Sequence, residues 1–63
     1  NTISPGGISD GQPEEFINRY NEQCNSVGML SPVEIANVLI FLLSEASKGI
    51  SGQNIVVDDG FVL

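Results

Sequence analysis

Residues 31–43 read Ser-Pro-Val-Glu-Ile-Ala-Asn-Val-Leu-Ile-Phe-Leu-Leu: a helix start signal followed by an almost unbroken apolar surface. Ser31 supplies a capping oxygen and Pro32 suits the first helical position. Glu34 stands where its carboxylate can reach back to the cap, which completes a capping box. The spacing predicts a helix running to about Glu45 or Ala46, with Lys48 near its negative end and Gly49 as terminator. Between Ile35 and Leu43 only Asn37 is polar. A helix that is apolar nearly all round is buried on more than one side. The whole chain has 63 residues, and a chain of that size hides only about 60% of its unfolded surface. It offers too little surface to bury this helix. The apolar run is also far short of the roughly 20 residues that span a bilayer.

The flanking residues show what such a helix packs against. Downstream, Ile55-Val56-Val57 is a short β-branched run of the kind found in parallel strands covered on both faces, and Asp58-Asp59-Gly60 ends it as a turn. Upstream, residues 1–4 read as the end of a strand, which Pro5-Gly6-Gly7 stops. Residues 5–12 hold three of the seven glycines and form a loop. A second helix is predicted from about Pro13 to Asn25, with Pro13 in the first position and Glu14 and Glu15 in the first turn. Phe16, Ile17, Tyr20 and Cys24 make one narrow apolar stripe along it. The glycines and asparagines of residues 8–25 predict a mobile segment. Strand, loop, helix, helix, strand is a crossover, which implies parallel pairing and the α/β class. Two strands make no stable sheet, so further strands are expected elsewhere.

Composition narrows the function classes. Two basic residues against eight acidic ones leave a net charge of −6, with a pI near 4.1, which argues against binding nucleic acid through a basic surface. The hydrophobic content of 41% argues against disorder. A single cysteine and no histidine exclude an internal disulfide, Ser-His and Cys-His catalysis and most zinc sites. Cys24 is read as an inert core thiol, Tyr20 as a packing residue beside Phe16, and Asp58 and Asp59 as turn residues rather than ligands. No metal site and no catalytic group are expected. The chain starts Asn-Thr-Ile, with neither Met nor a signal-like segment, so it is read as part of something larger. The best site candidate is the first loop. Ligands of open parallel sheets bind beyond the carboxyl ends of strands, and glycine lets backbone approach a flat ligand closely. A simple tight turn stands open as the other reading of that loop.

Taken together, these residues resemble the short-chain dehydrogenase/reductase family. Asn1-Thr2-Ile3-Ser4-Pro5-Gly6 is similar to its N-x-I/V-x-P-G segment. Gly28 to Ala36 is similar to its G-R-x-x-x-P-x-E-I-A stretch, with Met29 at the usual Arg. Phe41-Leu42-Leu43-Ser44, Ile50-Ser51-Gly52-Gln53 and Val57-Asp58-Asp59-Gly60 follow its F-L-x-S, I-T-G-Q and V-D-G-G elements, with Asp59 at the first glycine of the final pair. Five elements fall in the family's order and spacing, and only residues 11–27 lack a family pattern. The Val-Asp-Asp-Gly-Phe ending and the Pro-Gly-Gly-Ile loop are reminiscent of bacterial members near flagellin or nonulosonic-sugar modification.

The resemblance implies an α/β fold: the C-terminal part of a Rossmann-type doubly wound parallel sheet, within one NAD(P)-binding domain. Residues 1–10 would be the cofactor-side loop, 11–30 the substrate lid, and 31–63 the helix, last strand and subunit-contact region. Pro5 and Gly6 would shape the wall of a nicotinamide pocket, and Gly7 and Ile8 would offer backbone groups to the carboxamide. The family's phosphate-proximal threonine position is Asp10 here, and Ser9 beside it becomes the candidate for that contact. NAD or NADP is the implied cofactor, and the residue that chooses between them follows the second strand of such folds. The family's catalytic Ser, Tyr and Lys would lie upstream, for Tyr20 is followed four residues later by Cys24 rather than Lys. The implied partners are the remainder of the same enzyme, a small carbonyl or alcohol substrate (sugar-derived ones included) and further copies in a homodimer or homotetramer. A cytoplasmic enzyme, with no nucleic acid and no membrane partner, is expected. A competing reading is a small non-catalytic interaction module that folds on a partner through the same apolar helix.

Overall fold

The capping box forms as its sequence dictates. In the computed structural model, which describes residues 1–61, Ser31 Oγ accepts the Glu34 N–H at 3.3 Å and Glu34 Oε1 accepts the Ser31 N–H at 2.8 Å. Pro32 opens the helix, which spans Pro32–Leu42 and is labelled α2. Removing the cap oxygen by Ser31→Ala is expected to cost about 1 kcal/mol, read as a lower midpoint in chemical unfolding of the intact protein. An unchanged midpoint would mean that packing alone holds the start of α2.

The end of α2 departs from the sequence expectation. It stops at Leu42, with Leu43 as its C-terminal cap in right-handed backbone geometry, so neither Glu45 nor Gly49 terminates it. Two serines account for this. Ser44 Oγ donates to the Phe41 carbonyl at 2.7 Å, and Ser47 Oγ donates to the Leu42 carbonyl at 2.9 Å. Hydroxyls that take the last carbonyls offer the backbone an alternative to another helical turn. The chain instead makes a 3-10 turn, Glu45–Ser47, which Lys48 caps.

The two strands pair as the crossover order requires. Strand β1 (Thr2–Pro5) lies parallel to β2 (Asn54–Val57), with Thr2 opposite Asn54 and Pro5 opposite Val57. Asn1 fastens the start of the sheet: its Nδ2 donates to the Ile50 carbonyl and its Oδ1 accepts the Gln53 N–H. Between the strands run both helices. Helix α1 covers Glu14–Glu22, shorter than the predicted 13–25. Pro13 is its N-cap with extended ψ of 142°, rather than its first helical residue. Ile17, Tyr20 and Cys24 turn inward and are half-buried. Phe16, placed on the same stripe by sequence, is 53% exposed.

Among the described residues, Met29 and Leu30, in the connection between the helices, are the buried apolar ones. On α2, Ile35, Val38 and Leu42 share the partly covered face, while Val33, Leu39, Ile40, Phe41 and Leu43 are exposed. A cleft of about 340 Å³ separates its C-terminal end from β1, lined by Asn1, Ile3, Leu39, Leu42 and Leu43. The helix therefore does not close over this sheet unaided. Among the described residues, no helix is long and apolar enough to cross a membrane.

Candidate functional site

The site forms at the carboxyl end of β1, where the chain leaves the sheet. The Gly6 N–H donates to the Val57 carbonyl at 3.1 Å and extends the ladder by one rung. Gly7 then leaves the sheet, and its N–H donates to Tyr20 Oη of α1 at 2.7 Å. Ile8 forms a parallel bridge with Leu30, and the Ser9 N–H donates to the Leu30 carbonyl at 2.8 Å. Gln12 closes the loop, its Nε2 donating to the Ile8 carbonyl and its Oε1 accepting the Asp10 N–H. The loop is therefore pinned by β2 on one side, by residue 30 on another and by α1 above.

The double glycine has a steric reason. A Cβ on Gly6 would lie 2.5 Å from Tyr20 Oη and 2.7 Å from Asp58 Cβ. One on Gly7 would lie 2.9 Å from the Tyr20 ring. Tyr20 in turn stacks face to face on Phe61, with ring centroids 4.0 Å apart and planes 4° apart. Its hydroxyl thus touches the loop while its ring covers the C-terminal turn. Phe16, Arg19, Tyr20, Gln23 and Phe61 line an open cleft of about 270 Å³ beside that stack.

That C-terminal turn is held by its two aspartates. Asp58 is buried, and its Oδ1 accepts the Gly60 N–H at 2.9 Å. Asp59 adopts a left-handed φ of 51°, which Asp tolerates better than most residues. Its Oδ2 accepts the N–H groups of Ser26, Val27 and Gly28 at 2.9, 2.5 and 2.7 Å, and its Oδ1 accepts Ser26 Oγ at 2.9 Å. The backbone donors of Gly28 and Ser26, more than any other contact, hold this carboxyl at a pKa of about 2. Asn21 Oδ1 adds an anchor by accepting the Met29 N–H. The connection after α1 is fastened at both ends. Cys24 lies beneath it, its thiol 3.5 Å from the Tyr20 carbonyl. Burial, then Asp59 and Asp58, push that thiol up from its ordinary value, so it stays protonated and non-nucleophilic.

Pro5, Gly6, Gly7, Ile8 and Ser9, the residues singled out by sequence, run from the last residue of β1 into the loop that follows it. Pro5 is exposed and the other four are half-buried. Two of the groups read as free for a carboxamide, the Gly7 N–H and the Ile8 carbonyl, are engaged by Tyr20 and Gln12. Sequence reasoning missed the polar end of Tyr20 and the clamp made by Asp59. The signal for the second was present, as Asp59 at the first glycine of the V-D-G-G pattern that this segment resembles. Among the described residues, no group of three or more His, Cys, Asp or Glu could hold a metal ion.

Comparison with known proteins gives the family of the sequence. The family model described as enoyl-(acyl carrier protein) reductase matches residues 1–62. Post-translational flagellin modification protein A of Campylobacter coli is 48% identical over 63 residues, all of this chain and 25% of the relative. Short-chain dehydrogenase reductase 4 of Arabidopsis thaliana is 37% identical over 70 residues, covering 97% of this chain and 24% of the relative. Meso-2,3-butanediol dehydrogenase of Serratia marcescens is 33% identical over 64 residues, covering 95% and 26% respectively. The chain thus spans about a quarter of the length of these relatives. No solved structure matches. With the match running through both strands and both helices, the chain belongs to the short-chain dehydrogenase/reductase family.

Proposed function

We propose that this chain is the C-terminal quarter of an NAD(P)-dependent oxidoreductase that moves a hydride between nicotinamide and a carbonyl or hydroxyl group. The observation that carries the reading is the Pro5-Gly6-Gly7 turn at the carboxyl end of a parallel strand, where open α/β sheets bind ligands. Its glycines permit close approach to the backbone, an approach made here by Tyr20 and Asp58. The nicotinamide supplies the hydride chemistry when bound. The chain's own residues bind and orient. Pro5 and Gly6 form a wall, Gly7 and Ile8 fix the carboxamide by backbone contacts, and Ser9 stands nearest the phosphates. Residues 11–30 cover the substrate side. The catalytic Ser, Tyr and Lys would come from the remainder of the enzyme.

Two further elements of the proposal rest on separate observations. The exposed apolar residues of α2 and Val56 support burial against that remainder and against a second copy, in a homodimer or homotetramer. A stand-alone interaction module would present the same face, but it has no use for a family match running from residue 1 to 62. A sugar-derived substrate and a cytoplasmic location belong to the same proposal and rest on the family resemblance alone. Titration of the intact protein with NADH and NADPH tests the central claim: saturable binding of either is expected. Binding of neither would overturn it.

A further inference from the structure

We propose that Asp59 is a positioning residue for the loop after β1: it holds the connection between the helices as a strut, whose far end aligns Ile8 and Ser9. The near end is densely tied. Five successive backbone N–H groups, from Asn25 to Met29, all have acceptors. Asp59 accepts from four of them: its carbonyl takes the Asn25 N–H at 2.7 Å, and its carboxylate takes those of Ser26, Val27 and Gly28. Asn21 of α1 takes the fifth, at Met29. Successive N–H groups that converge on one point form the kind of concavity that binds anions, and here the chain fills it with its own carboxylate. The strut ends in Met29 and Leu30, both buried. Leu30 makes the parallel bridge with Ile8, and its carbonyl accepts the Ser9 N–H at 2.8 Å. At the loop's other edge the Gly6 N–H donates to the Val57 carbonyl. Val57 ends β2 and Asp59 follows it by two positions, so both edges of the loop trace back to the end of one strand. One edge is attached directly, the other through Asp59 and the strut.

The bearing on nucleotide binding rests on the nicotinamide reading above, in which Ile8 and Ser9 meet the carboxamide and the phosphates. Asp59 stands outside those contacts and acts through residues 26–30. A loop released at its second edge must be ordered by the ligand itself, and that cost lowers affinity.

Asp59→Gly in the intact protein removes the carboxylate and suits the left-handed φ of 51°. Hydrogen exchange then reads the two edges of the loop separately. Without nucleotide, the Ser9 amide should accelerate about fivefold more than the Gly6 amide, which shares the fold's overall stability but is held by Val57. Asp59→Asn keeps an acceptor oxygen and should return part of the Ser9 protection. Asn21→Ala removes one tie and leaves those of Asp59, so it should speed Ser9 less than Asp59→Gly does. With NADH or NADPH, Asp59→Gly should bind about fivefold more weakly than wild type. Equal acceleration of Ser9 and Gly6 would overturn the proposal, since it would mean a general loss of stability. A Ser9 amide that ignores Asp59→Gly, or that responds more to Asn21→Ala, would overturn it too. So would unchanged nucleotide affinity beside a faster Ser9. If wild type binds neither nucleotide, the oxidoreductase reading falls, and the contrast between Ser9 and Gly6 still decides whether Asp59 aligns the loop.

Discussion

Gly6→Ala is expected to destabilise the intact protein by about 2 kcal/mol, the middle of the range for overpacking a filled site. The added Cβ would lie 2.5 Å from Tyr20 Oη, 2.7 Å from Asp58 Cβ and 3.3 Å from Asp58 Cα. The first of these neighbours ends a side chain on a lightly held helix and can yield. The other two belong to a residue buried in the C-terminal turn, and backbone there cannot yield without dragging Asp59 and its loop. Pairing the substitution with Tyr20→Phe should therefore recover part of the loss and leave the Asp58 share. The pair should be non-additive, as contacting residues are. Gly49→Ala is the control, since a Cβ there meets nothing within 4 Å, and it should stay within about 0.5 kcal/mol of wild type. Unfolding midpoints of Gly6→Ala, Tyr20→Phe, their pair and Gly49→Ala decide the matter. A Gly6→Ala midpoint equal to that of Gly49→Ala would mean that the turn is looser than its packing indicates. The same substitution should weaken NADH or NADPH binding, because the wall it distorts is the proposed pocket.

What the sequence made legible, and what it hid, divides along the range of the interaction. The start of α2 depends on Ser31, Pro32 and Glu34, neighbours within four positions, and it forms as read. The parallel pairing of β1 and β2 was also legible, because a strand, two helices and a second β-branched run leave little alternative topology. The end of α2 was not. Lys48 and Gly49 looked like its end, yet Ser44 and Ser47 capture the carbonyls first, and a serine's choice between solvent and backbone leaves no periodic trace. Tyr20 shows the limit more clearly. Its place on an apolar stripe announced its ring but not the hydroxyl's partner, Gly7, thirteen residues away. Phe16 belonged to the same stripe by spacing alone, and α1 is too short and too loosely seated to bury both sides of it. The loop after β1 was legible from its glycines. Its hydrogen-bond partners were not, because those come from α1, from residue 30 and from within the loop.

Replacing Asp59 should loosen the connection after α1 more than any other single change in the C-terminal turn. One carboxylate there accepts three successive backbone N–H groups and a serine hydroxyl. Truncation would leave those donors to water or to no partner. Asp59→Gly relieves the left-handed backbone at φ 51°, so backbone strain alone would make it stabilising. Loss of charge-assisted bonds acts in the opposite direction and is the larger effect. The expected result is a lower unfolding midpoint, with amide exchange of residues 26–28 faster by roughly tenfold. Asp59→Asn should fall between, since one amide oxygen can replace Oδ2 but carries no charge. Acid gives an independent check. The carboxyl is held at about 2, below the ordinary aspartate value of 3.8, so the folded state binds its proton less readily than the unfolded chain. Its contribution is fully present above 3.8 and is lost as pH falls from there through about 2. Wild type should therefore lose stability over that interval more steeply than Asp59→Asn, and the two curves should converge at the acid end. Parallel curves would show that the carboxylate is as well solvated in the fold as out of it. A stabilised Asp59→Gly would show that φ strain outweighs the clamp.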